Sequence, residues 1–135
     1  MKVYRFLNPN GEGLYQNDFW RQVGLPYVGE DIPFHQPPVY EDVRGWKLED
    51  ANKYICAFQS PDKLVSWFRD LNPLQVFIEG GSLVEIIVPN EHVRLGNHQC
   101  AIRKFKETSV REIGIDEFID LIDNSVERYK ELIVW

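Results

Sequence analysis

Gly81-Ser82-Leu83-Val84-Glu85-Ile86-Ile87-Val88-Pro89, followed after a short polar link by Gly96-Asn97-His98-Gln99-Cys100-Ala101-Ile102, is the stretch on which the fold turns. It holds two apolar runs bounded by glycine and proline, each of strand length. Between them the chain must turn and come back. Gln99 stands where the second run begins, a place from which a polar side chain can project from a strand end into a cleft. Leu83, Glu85 and Ile87 share one face of the first run. Glu85 is its one charge, so it needs a partner, solvent at a sheet edge, or a chemical role.

Outward from this stretch, Lys2–Leu7 reads as a first strand and Lys53–Phe58 as a second. Val3, Arg5 and Leu7 share a face of the first. An arginine flanked by apolar residues either pairs with a buried carboxylate or lines a pocket that binds an anion. Ser60-Pro61-Asp62 is a helix start, a hydroxyl cap followed by proline at the first helical position. Leu64, Trp67 and Phe68 fall on one face of that helix, which stops before Asn72-Pro73. Leu74–Ile78 reads as a further short helix or as a strand, with the helix preferred. Cys100–Phe105 and Thr108–Ile113 complete the strands. Ile115–Leu132 is the longest amphipathic helix, with Asp116 and Glu117 in its first turn and Lys130 near its last, as the helix dipole favours.

Residues 8–50 differ in texture. They hold five of the eight prolines and five of the nine glycines. Asn17 is placed to cap a short helix around Phe19, Trp20 and Val23 that Gly24 ends. Proline this dense excludes a central strand or a helix interior. A long irregular segment of this kind is a lid, a binding loop or a packed surface loop. Its aromatic residues Tyr27, Phe34, Tyr40 and Trp46 either stack on a ligand or pin the segment to the core.

The elements together predict an α+β fold: a curved, largely antiparallel sheet, a helix after the second strand and a long C-terminal helix. Strands do not alternate regularly with helices, which excludes a doubly wound parallel sheet. The 135 residues are expected to form a single α+β domain, residues 1–135.

The net charge of −6 argues against binding to a nucleic-acid backbone, which depends on lysine and arginine. The acidic residues are dispersed rather than arrayed as a nucleic-acid mimic. The amino-terminal Met-Lys-Val-Tyr-Arg lacks the apolar stretch of a secretory signal, and no run is long enough to span a bilayer, so a cytoplasmic protein is expected. Cys56 and Cys100 lie in apolar runs and read as reduced core residues. His35, His92 and His98 have no ligand spacing with one another or with the cysteines, and no metal site is expected. No glycine-rich phosphate loop and no Gly-x-Ser-x-Gly elbow occurs.

One ordered trio remains: Arg5 on the first strand, Ser60 between the second strand and its helix, and Gln99 at the start of a late strand. This order resembles the Arg–Ser–Glu class of the ADP-ribosyltransferase fold, as do Val84-Glu85-Ile86-Ile87-Val88-Pro89 and Thr108-Ser109-Val110-Arg111-Glu112-Ile113 before a closing helix. The resemblance runs from Lys2 to Ile113. It implies NAD or a related nucleotide as cofactor, with Arg5 on the pyrophosphate or ribose, Ser60 orienting the nicotinamide, and Tyr27 or Trp46 closing over it. Gln99 stands where that family has glutamate. Glutamine keeps the hydrogen bonds and loses the charge that stabilises a developing cation, with Glu85 as the substitute carboxylate. The second reading is a non-enzymatic interaction or inhibitor protein in a host or bacteriophage setting, small and acidic, whose proline- and aromatic-rich segment contacts a protein partner.

Overall fold

The computed structural model describes residues 1–25 and 36–123. The fold is α+β, and every strand pairing is antiparallel. Among the described residues six strands and five helices follow in the order β1 (Lys2–Leu7), α1 (Phe19–Gln22), α2 (Val39–Asp42), β2 (Tyr54–Ala57), α3 (Pro61–Trp67), α4 (Pro73–Ile78), β3 (Ser82–Ile87), β4 (Val93–Leu95), β5 (Cys100–Arg103), β6 (Ser109–Ile113) and α5 (Ile115–Asp123). The strands form two sheets, β1-β3-β6 and β2-β5-β4.

The two apolar runs of the 81–102 stretch therefore do not pair with each other. Val93–Leu95, which reads as a polar link, becomes β4 and takes the hairpin position beside β5. That frees β3 to lie between β1 and β6 as the centre of the first sheet. The sheets meet where Tyr4 and Phe58 exchange backbone hydrogen bonds of 2.7 and 2.9 Å.

Alternation along β1 splits the interior in two. Tyr4 and Phe6, with Leu83 and Ile113 opposite, face the helices. Phe6 makes edge contacts with Phe68 after α3 and Phe118 of α5, at centroid distances of 5.7 and 6.0 Å. On the other face Val3, Val84 and Ile86 pack against Ala57, Cys100 and Ile102 of the second sheet. Burying the larger of these side chains contributes roughly 1.5–3 kcal/mol each.

The local start signals act as their chemistry demands. Ser60 Oγ accepts the Lys63 N–H at 3.2 Å and opens α3. Asn72 Oδ1 accepts the Leu74 N–H at 3.1 Å and opens α4, so Leu74–Ile78 is helical. Asn17 is the exception. It and Asp18 take left-handed φ values of 57° and 58°, and the Asn17 side chain donates to Glu12 instead of capping α1. Tyr27, Phe34 and His35, together with the part of the predicted Ile115–Leu132 helix that follows Asp123, lie outside the described residues.

Candidate functional site

Arg5 sits at the seam between the sheets. Its Nη1 donates to the Cys56 carbonyl oxygen at 2.7 Å, fixing one corner of the guanidinium on β2. The absence of a side chain at Gly13 leaves room for the other corner: a Cβ there would lie 3.0 Å from Arg5 Nη2. Burial pulls the guanidinium below its usual range, opposed by the electrostatic effect of Cys56. An arginine remains charged under such a shift. Among the described residues no carboxylate forms an ion pair with it.

Arg5 opens onto two adjoining clefts. One, of about 400 Å³, is walled by Tyr54, Phe58, Phe68, Gln99 and Lys104 among others. The second, of about 650 Å³, runs toward Leu7, Ile86, Phe105 and Val110.

Of the residues read as a trio, Arg5 and Gln99 reach the same cleft, and Ser60 is not in its wall. Ser60 serves the α3 amino terminus instead. Gln99 is buried, and its side-chain amide donates to the Pro37 carbonyl at 3.2 Å. Glu85 lies on the opposite face of the first sheet from Arg5, because Arg5 is registered with Val84 and Tyr4 with Glu85. There Glu85 accepts from Arg111 Nη2 at 3.1 Å and has Lys2 at 3.9 Å. Arg111 is held in turn by Glu117 through two hydrogen bonds of 2.7 Å. Trp46 is half-buried with its ring edge-on to Tyr54 at 5.9 Å; Tyr54 stands in the cleft wall and Trp46 does not.

The sequence reading misses Asp42. Its buried carboxylate accepts the backbone N–H groups of Asn97, His98 and Gln99 at 3.0, 3.1 and 2.9 Å, and lies 3.0 Å from His98 Nδ1. The anion fills the concave backbone of the β4–β5 turn and binds the proline-rich segment to the second sheet. Gly96 is required beside it, since a Cβ there would come within 2.6 Å of Asp42 Oδ2 and of the Gln99 carbonyl. Asp50 forms a second fastening. It accepts the Lys47 N–H at 2.9 Å and pairs with Arg94, which also donates to the Gly45 carbonyl at 3.2 Å. The Lys47 N–H and then Arg94 hold the Asp50 carboxyl below the usual carboxylate range. Two carboxylates thus tie the 36–50 segment down, while Tyr40 and Leu48 on it remain 68% and 94% exposed. The run of amide-rich residues after Gly96 is the one sequence signal that could have pointed to such an anion-filled turn.

Among the described residues no group of three or more His, Cys, Asp or Glu side chains is arranged to hold a metal ion. Among them, too, no helix is long and apolar enough to cross a membrane.

Fold and site together define an acidic α+β protein that displays a pinned, partly apolar surface segment beside an arginine-centred cleft. The family model for the bacteriophage T4 Y00F protein matches residues 1–116, and the chain belongs to that family. No curated protein and no solved structure matches it. Membership of this family overturns the resemblance to ADP-ribosyltransferases. The weak marks behind that resemblance have separate structural uses here: Ser60 caps a helix, and Glu85 belongs to an ion-pair network across the sheet.

Proposed function

We propose that the protein is a non-enzymatic interaction protein of a bacteriophage, acting on a host or phage protein through the surface formed by residues 36–50. The observation that supports this reading is rigid display. Leu48 is 94% exposed on backbone that Asp42 and Asp50 fasten to the second sheet, and Tyr40 stands on the same segment. A single exposed apolar residue is ordinary on any surface. Two on a tethered segment form a preordered contact, which loses less conformational entropy on association than a free loop. Aromatic side chains at the centre of such contacts carry a large share of binding energy. The net charge of −6 favours a partner with a cationic surface and speeds their encounter.

The test is retrieval of the tagged protein from phage-infected cells, with variants. A partner should co-purify in fixed stoichiometry and be lost with Tyr40→Asp and Leu48→Asp at unchanged Tm. Ile78→Asp, at an exposed position on α4, should retain it. Loss of the partner only in the Ile78 variant, or its retention by all three variants, would defeat the reading.

A further inference from the structure

Arg5 and Lys104 both line the smaller cleft, and among the described residues neither is in ion-pair contact with a carboxylate. The two adjoining clefts differ in charge. Arg5 and Lys104 line the larger one as well, but there Glu12 and Glu107 stand in the wall with them. The wall of the smaller one contains no acidic residue; apart from its two cations it is made of polar groups such as Gln16, Gln99 and the Tyr54 ring, and of the apolar surfaces of Ile55, Phe58 and Phe68. The guanidinium is already oriented by its bond to the Cys56 carbonyl, so little freedom remains to be lost when an anion arrives. A volume of about 400 Å³ falls within the range of small-molecule sites.

We infer that the smaller cleft is a binding site for an organic oxyanion with a compact apolar body, the oxyanion held by Arg5 and Lys104 and the body seated against Phe58 and Phe68. The oxyanion is a carboxylate or a phosphoryl group. Phosphoryl and carboxylate groups both accept the fork of N–H donors that a guanidinium offers. In the larger cleft Glu12 and Glu107 offset the same two cations, so the charged end is favoured on the side of the smaller cleft, where no carboxylate stands. This inference stands apart from the protein-contact surface on residues 36–50.

The probes are phenylacetate and phenylphosphonate, with acetate and benzyl alcohol as the separated halves. Each is titrated into the 15N-labelled full chain while the Arg5 side-chain N–H resonance is followed by NMR. Phenylacetate or phenylphosphonate should give a saturable shift, and the tighter of the two identifies the preferred oxyanion. Acetate and benzyl alcohol should bind at least tenfold more weakly. Lys104→Gln, a change at a half-buried position just past β5, should weaken the favoured probe about tenfold with the fold intact, and Arg5→Gln, followed through the Gln99 side-chain amide in the same cleft wall, should weaken it further. The absence of saturation by either aryl anion overturns the inference. So does benzyl alcohol binding as tightly as the anions, or Lys104→Gln leaving affinity unchanged.

Discussion

The Asp42 carboxylate accepts the Gln99 backbone N–H at 2.9 Å, joining positions 57 residues apart. A buried anion enclosed by consecutive backbone donors leaves those donors unsatisfied when it is removed. Asp42→Ala is therefore expected to destabilise the protein by about 3 kcal/mol, the scale of stranding several buried polar groups. His98→Ala should cost less than about 1 kcal/mol, because its half-exposed ring supplies one replaceable partner. Urea unfolding of the three proteins checks the ranking, and equal losses would show that the ring rather than the backbone turn is what Asp42 serves.

Phe105 adopts φ 64° and is 90% exposed. A bulky side chain gains nothing from a left-handed backbone and adds strain there. With so little of the ring buried, Phe105→Gly should raise stability by about 0.5–1 kcal/mol. Thermal unfolding reads this directly. A lowered Tm would mean that the ring contributes packing that outweighs the backbone strain.

Burial pushes the Cys100 thiol up to about 12, with Cys56 adding to the shift, whereas an unperturbed thiol sits at 9.0. The unfolded chain therefore loses this proton first as pH rises. Stability from the buried neutral thiol is complete below pH 9 and falls as the pH climbs toward 12. Urea midpoints measured from pH about 8 to about 11 should fall more steeply for wild type than for Cys100→Ala. Parallel pH profiles would assign the alkaline loss to other groups.

Much of the local structure was legible because its signals are short-range. Ser60-Pro61 and Asn72-Pro73 start helices through bonds that close within a few residues, and Gly24 ends α1 at a φ of 79°. The division of strands between two sheets was not legible. It depends on Val93–Leu95, three residues that carry a charge and resemble a link, pairing with β5 ahead of any contact between β3 and β5. The apolar flanks of Arg5 suggest a guanidinium that pairs with a buried carboxylate or lines an anion pocket, and the structure places it in a cleft wall. Its anchor, though, is a main-chain carbonyl, which has no residue signature. Glu85 left a partner, sheet-edge solvent and a chemical role open; its partner Arg111 is supplied by strand register across β6, which alternation alone does not fix. Asp42 carried no local mark, since its role exists only once the β4–β5 turn folds around it.

The central claim is that residues 36–50 form the contact surface. Its most direct measurement is hydrogen–deuterium exchange of the protein alone and in complex with the partner it retains from infected cells. The predicted result is added protection at the amides of residues 39–50, with the amides of α4 and of the β6 edge unchanged. Protection confined to α4 or β6, with 39–50 exchanging as in the free protein, would contradict the account.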